Sequence, residues 1–152
     1  MSLNIVTFDE EALRQETHEV EVPLTGELKL FVAHMIQTMV TAEGLGLAAP
    51  QVNRPERIFV AELNEQYHVF VNPTIVEFSD SCGTEEEACL SLPGVTVVVR
   101  RPKFIRISYY DVSGTFYKRK KFKRMDARVI QHEFDHLEGK LISDYASSYE
   151  VG

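Results

Sequence analysis

The spacing of apolar and polar positions changes period along the chain, and the changes mark its elements. Leu28, Val32, Met35, Ile36, Met39 and Val40 recur at intervals of three and four, with Thr25 placed to cap and Gly44 to stop. This predicts a long amphipathic helix whose Met35 and Met39 fill the core. Upstream, residues 9–14 read as a short capped helix and residues 18–23 as an extended segment. Downstream the period falls to two. Residues 57–63, 67–72 and 74–79 predict strands, punctuated by turns at Asn64-Glu65-Gln66 and Asn72-Pro73. Residues 96–99, 103–110 and 115–122 predict three more, the last two joined as a hairpin by Asp111-Val112-Ser113-Gly114. The helical period returns at Ala127, Ile130, Phe134 and Leu137, between Asp126 as N-cap and Gly139 as a stop. The pattern predicts an α+β fold, with antiparallel strands in the middle and the C-terminal helix packed on them.

Composition narrows this picture. A length of 152 residues with 44% hydrophobic content suits one domain over 1–152, and no internal repeat divides it. A net charge of −7 excludes a protein that coats nucleic acid or anionic membrane over its whole surface. No apolar run is long enough to span a bilayer, and the N-terminus lacks a basic leader and an apolar signal region, so a soluble cytoplasmic protein is expected. Cys82 and Cys89 are too few for a disulfide framework; in a reducing compartment each is a thiol or a metal ligand. Residues 118–124 hold six basic side chains around Phe122, which reads as a solvated strand, the alternative being a docking surface for RNA or an acidic partner. His18, His34 and His68 have no partner by spacing.

The chemistry gathers in Gln131-His132-Glu133-Phe134-Asp135-His136-Leu137. Two histidines one helical turn apart can reach one metal ion, and Glu133 between them can take a proton from a water on that ion. A catalytic site of this kind needs a third protein ligand. The position that supplies a third histidine in one protease class is Ile142, and Glu138 points away from the histidine face, so the third ligand must lie upstream. Gly44-Leu45-Gly46-Leu47-Ala48-Ala49-Pro50-Gln51 lacks the Lys-Ser/Thr of a phosphate loop and follows a helix rather than a strand. Its small residues suit a backbone that runs close to another element or to a ligand.

With Glu87-Ala88-Cys89-Leu90-Ser91 lying between these two stretches, the chain resembles the peptide deformylases, which carry three such motifs in this order. The resemblance covers nearly the whole chain. It implies one divalent metal ion, natively Fe2+ with Zn2+ or Ni2+ as alternatives, held by Cys89, His132 and His136. It implies Glu133 as the base, the Gln51 amide and the Leu90 backbone N–H as oxyanion donors, and Gly44, Gly46 and Leu90 beside the peptide. The implied reaction removes the formyl group from N-formylmethionyl nascent peptides and releases formate, an N-terminal processing step of protein biosynthesis. The implied setting is cytoplasmic, with transient ribosome association, no nucleic-acid specificity and no membrane. Three departures stand out. Ala88 replaces a glycine of the family pattern, Gly94-Val95-Thr96 stands where many members carry charged residues, and residues 140–152 leave little room for a ribosome-docking helix. Two further readings therefore accompany the first: a deformylase-like metal- or peptide-binding protein with weak turnover, and a protease or other amidase using the same metal.

Overall fold

The computed structural model of the chain describes residues 2–146. Helix α1 (Glu10–Leu13) starts where the Asp9 side chain accepts the Ala12 amide, and α2 (Gly26–Thr41) where Thr25 accepts that of Leu28. The end of α2 differs from expectation. Glu43, at φ 60°, takes the left-handed position, and Gly44 follows it with its amide donating to the Met39 carbonyl at 2.9 Å. Val32, Met35 and Met39 are buried as expected and Phe31 joins them, whereas Val40 stays exposed.

Strands β1 (Gly46–Ala48), β2 (Ile58–Leu63), β3 (Gln66–Phe78), β6 (Phe104–Tyr110) and β7 (Phe116–Lys123) form an antiparallel sheet in the order β1-β2-β3-β6-β7. Strands β4 (Cys82–Ala88) and β5 (Thr96–Pro102) pair separately. Helix α3 (Arg124–Leu137) lays Ala127, Ile130 and Leu137 on one face of the large sheet, against Phe59, Phe70, Ile105 and Ile107. Helix α2 covers the other face through Ile58, Val60 and Val71. A third cluster joins Val97 and Val99 of β5 to Leu13, Leu92, Leu141 and Ile142. Among the described residues no helix is long and apolar enough to cross a membrane.

Four expectations are corrected. The turn at Asn72-Pro73 is a bulge inside one strand, because Asn72 adopts φ 50° and its amide side chain grips both the N–H and the carbonyl of Val20 at 2.9 and 2.8 Å. The acidic run 85–87 lies inside a strand, β4, that the alternation did not announce. Residues 18–23 contribute only a bridge between His18 and Glu56. Helix α3 begins at Arg124, directly after β7, so Asp126 sits in the first turn, where its charge suits the helix N-terminus, and is not the cap. Its other end is as read: Gly139, at φ 72°, follows the Glu138 cap, and the Lys140 amide closes on Asp135 at 2.8 Å. Of residues 140–152, Ile142–Tyr145 form a 3-10 turn and 147–152 lie outside the described residues.

Candidate metal centre

The two histidines are presented by α3, whose apolar stripe fixes its rotation on the sheet. Cys89 is presented by the segment that immediately follows β4. The potential ligand atoms of Cys89, His132 and His136 all lie within 4.8 Å of one another, with Cys89 Sγ 3.4 Å from His136 Nε2. One thiol and two imidazoles at this separation are a donor set for a divalent ion of borderline softness, with room for a further ligand. Cys82 takes no part. An extended strand of seven residues holds it roughly 20 Å from Cys89, too far for a disulfide.

Glu133 is buried beside the triad, with Oε2 at 3.9 Å from His132 Nε2 and Oε1 without a hydrogen-bond partner among the described residues. Burial, helped by the negative charges of Glu87 and Asp135, raises its pKa to about 7 although His132 and Arg101 oppose the shift. Gly46 makes room for it. A Cβ there would lie 2.6 Å from both Cγ and Oε2 of Glu133, so only glycine lets β1 pass so close. Gly44 stands in the same relation to Leu90, whose Cδ1 would be 2.7 Å from an added Cβ.

Gln51 is buried in the 3-10 turn Ala49–Val52. Its Oε1 accepts the Ala48 amide at 2.9 Å, which orients Nε2 toward Ser91 Oγ at 3.2 Å and Cys89 Sγ at 3.7 Å. Ser91, fully buried, was not singled out in the sequence. Ala88, the substitution in the motif, is exposed, extended and paired with Thr96 at the end of β4, and is not among the residues of positive φ, so its methyl group is unstrained.

Sequence reasoning missed the group that holds His132. The buried Glu87 carboxylate meets His132 Nδ1 at 2.9 Å and accepts from Arg101 at 2.6 and 2.9 Å and from Arg128 at 2.6 Å. Arg101 reaches on to Asp135 at 2.9 Å, and Tyr145 donates to the same carboxylate at 2.6 Å. Burial opposes a charged Glu87, but the hydrogen bonds from His132 and Arg101 prevail and hold its pKa at about 2. Burial likewise opposes a charged His132, yet the Cys89 sulfur and Glu87 raise it to about 10, while burial keeps His136 neutral. A metal competes with that His132 proton and displaces it on binding. The legible signal was alternation in β5: buried Val97 and Val99 put Arg101 on the inner face, opposite the strand of Glu87.

Gln51, Glu87, Cys89, His132 and Glu133 line a cleft of about 520 Å³ whose apolar side is formed by Leu45, Leu90, Met125 and Val129. Strand β4 borders it with the edge that β5 leaves unpaired.

Known proteins resemble this chain in sequence and in fold. A family described as Polypeptide deformylase matches residues 2–151. Peptide deformylase of Salinibacter ruber is 42% identical over 98% of this chain and 83% of its own length, and that of Rickettsia prowazekii 41% over 95% and 87%. The crystal structure of peptide deformylase from Thermotoga maritima superposes with a TM-score of 0.92 at 36% identity, covering 97% of this chain and 99% of that one. A probable peptide deformylase from Synechococcus phage S-SSM7 gives 0.89 at 38%, covering 95% and 100%. On fold and sequence together, the chain belongs to the polypeptide deformylase family.

Proposed function

We propose that this protein hydrolyses the N-terminal formyl group of formylmethionyl peptides, releasing formate and a free amino terminus. The observation that carries the reading is the convergence of Cys89, His132 and His136 beside the buried, partly unsatisfied carboxylate of Glu133. A divalent ion in that triad supplies Lewis acidity and makes water nucleophilic near neutral pH. Glu133 receives the proton of the attacking water and returns one to the departing amine as the C–N bond breaks. Gln51 Nε2 and the Leu90 N–H stabilise the oxyanion, a contribution of about 3 kcal/mol for a donor of this kind. The methionine side chain enters the slot of Leu45, Leu90, Met125 and Val129. The peptide runs extended beside Gly44, Gly46 and Leu90, adding a strand to the free edge of β4.

The family resemblance favours Fe2+ as the native ion over Zn2+ or Ni2+, and elemental analysis after anaerobic purification distinguishes them. A thiol ligand suits the reducing cytoplasm, and a nascent-chain substrate suits transient association with the ribosome. The test of activity is turnover of formyl-Met-Ala-Ser by protein loaded with Fe2+, Ni2+ or Zn2+. Parent protein is expected to release formate, and Glu133→Ala to keep its metal while losing turnover by orders of magnitude. Turnover of Glu133→Ala within tenfold of parent would overturn the assignment.

A further inference from the structure

Six of the sixteen lysines and arginines fall in residues 118–124, on and just beyond the edge strand β7, and the cleft uses none of them. Among the described residues the neighbouring carboxylates pair with only one of the six, Arg119. Glu77 pairs with Arg106 and Arg119, and Asp111 is occupied by Ser113, Thr115 and Tyr117. Lys118, Lys120, Lys121, Lys123 and Arg124 have no ion-pair partner among the described residues. The register places Lys121 opposite Arg106 and Lys123 opposite Phe104, on the face turned away from the Ile105 and Ile107 core. Helix α2 packs mainly on the β1 and β2 end of the sheet, while Phe116, Lys118, Lys121 and Lys123 are exposed. Aromatic rings are interleaved with the charges. Lys121 lies 4.3 Å from the Phe104 ring centroid, Lys120 4.9 Å from that of Tyr117, and exposed Phe116 contacts Tyr110. On the opposite face, beside Lys120, a hollow of about 400 Å³ is lined by Tyr67, His68, Tyr109 and Tyr117.

We propose that the β6-β7 end of the large sheet binds single-stranded RNA without sequence preference, its lysines tracking phosphates and its exposed rings stacking on bases. Alternate residues of a strand repeat at about 6.6 Å, so Lys121 and Lys123 share one face at a spacing that suits an extended polyanion, with Lys118 beyond the bulge at Arg119. Rings beside cations favour RNA over an acidic protein, because every base offers a π-face and a carboxylate side chain does not. Lysines also protect a sheet edge from pairing with another edge. Glutamates would protect it equally well, so charge reversal separates the two roles.

The experiment is fluorescence anisotropy of a labelled mixed-sequence RNA of about twelve nucleotides, titrated with full-length protein between about 50 and 200 mM salt. Contact with three to five phosphates predicts a log–log salt slope between about −2 and −3.5. The triple variant Lys118→Glu, Lys121→Glu, Lys123→Glu is expected to bind at least about thirtyfold more weakly with a flatter slope. Its turnover of formyl-Met-Ala-Ser should stay within about twofold of parent, since none of the three lines the cleft. Phe116→Ala should weaken binding about fivefold or more and leave the slope unchanged. Undiminished binding by the triple variant would overturn the proposal. So would a polyglutamate peptide that binds as tightly as the RNA, which would assign the surface to an acidic protein.

Discussion

At the scale of single residues, the site is governed by what fits beside Glu133. Gly46→Ala places a methyl group 2.6 Å from that side chain, and Glu133 can yield only by leaving the triad. Turnover should fall by a hundredfold or more with metal content retained, which steady-state hydrolysis and elemental analysis check together. Gly44→Ala should cost far less, because the atom it meets is the free end of Leu90. Ala88→Gly should change turnover by less than about tenfold, under about 1.4 kcal/mol in the barrier. Its methyl group is unstrained, and a gain of a hundredfold would show instead that it holds back catalysis. His132, Glu133 and His136 could be read from spacing that is local in sequence, whereas Cys89 and Gln51 entered only through the family resemblance. Ser91 and the partners of Glu87 were legible in neither way, because Arg101 and Arg128 lie 14 and 41 residues from that carboxylate and read as ordinary surface charge.

At the scale of elements, capped helices and tight turns were legible, since Asp9, Thr25, Asn64-Glu65 and Gly139 act on their own neighbours. Strand β3 was misjudged because the left-handed Asn72 is held by Val20, 52 residues away. Strand β4 was hidden because Glu85 and Glu86 carry charge to solvent on both of its faces while Glu87 turns inward to two guanidinium groups. That inward charge has a pH signature. The folded-state pKa of Glu87 is depressed to about 2, so its stabilisation is present above the ordinary carboxylate range and is lost as pH falls through about 2. In denaturant unfolding of metal-free protein, parent should lose on the order of 3 kcal/mol more than Glu87→Gln between about pH 4.5 and 2. Parallel curves for the two proteins would remove Glu87 from the acid response.

At the scale of the whole molecule, the two sheets share no hydrogen-bonded strand. The small one delivers Cys89 and the large one supports the helix of His132 and His136, so an ion held by all three spans the junction. Metal should therefore raise the thermal midpoint and slow amide exchange in β4 and β5. Cys89→Ala should abolish both effects and Cys82→Ala neither; equal protection in Cys89→Ala would place the ion elsewhere. Calorimetry with mass-resolved hydrogen exchange reads both.

The unpaired edge of β4 has a consequence for when the protein can act. An edge that recognises backbone N–H and C=O groups accepts a chain end only while those groups are unclaimed. Once the first residues of a new polypeptide close a helical turn or join a sheet of their own, they have nothing left to offer. On the proposed binding mode the cleft imposes a deadline: hydrolysis competes with the folding of its own substrate, and sequences whose N-termini fold fastest are the ones expected to keep their formyl group.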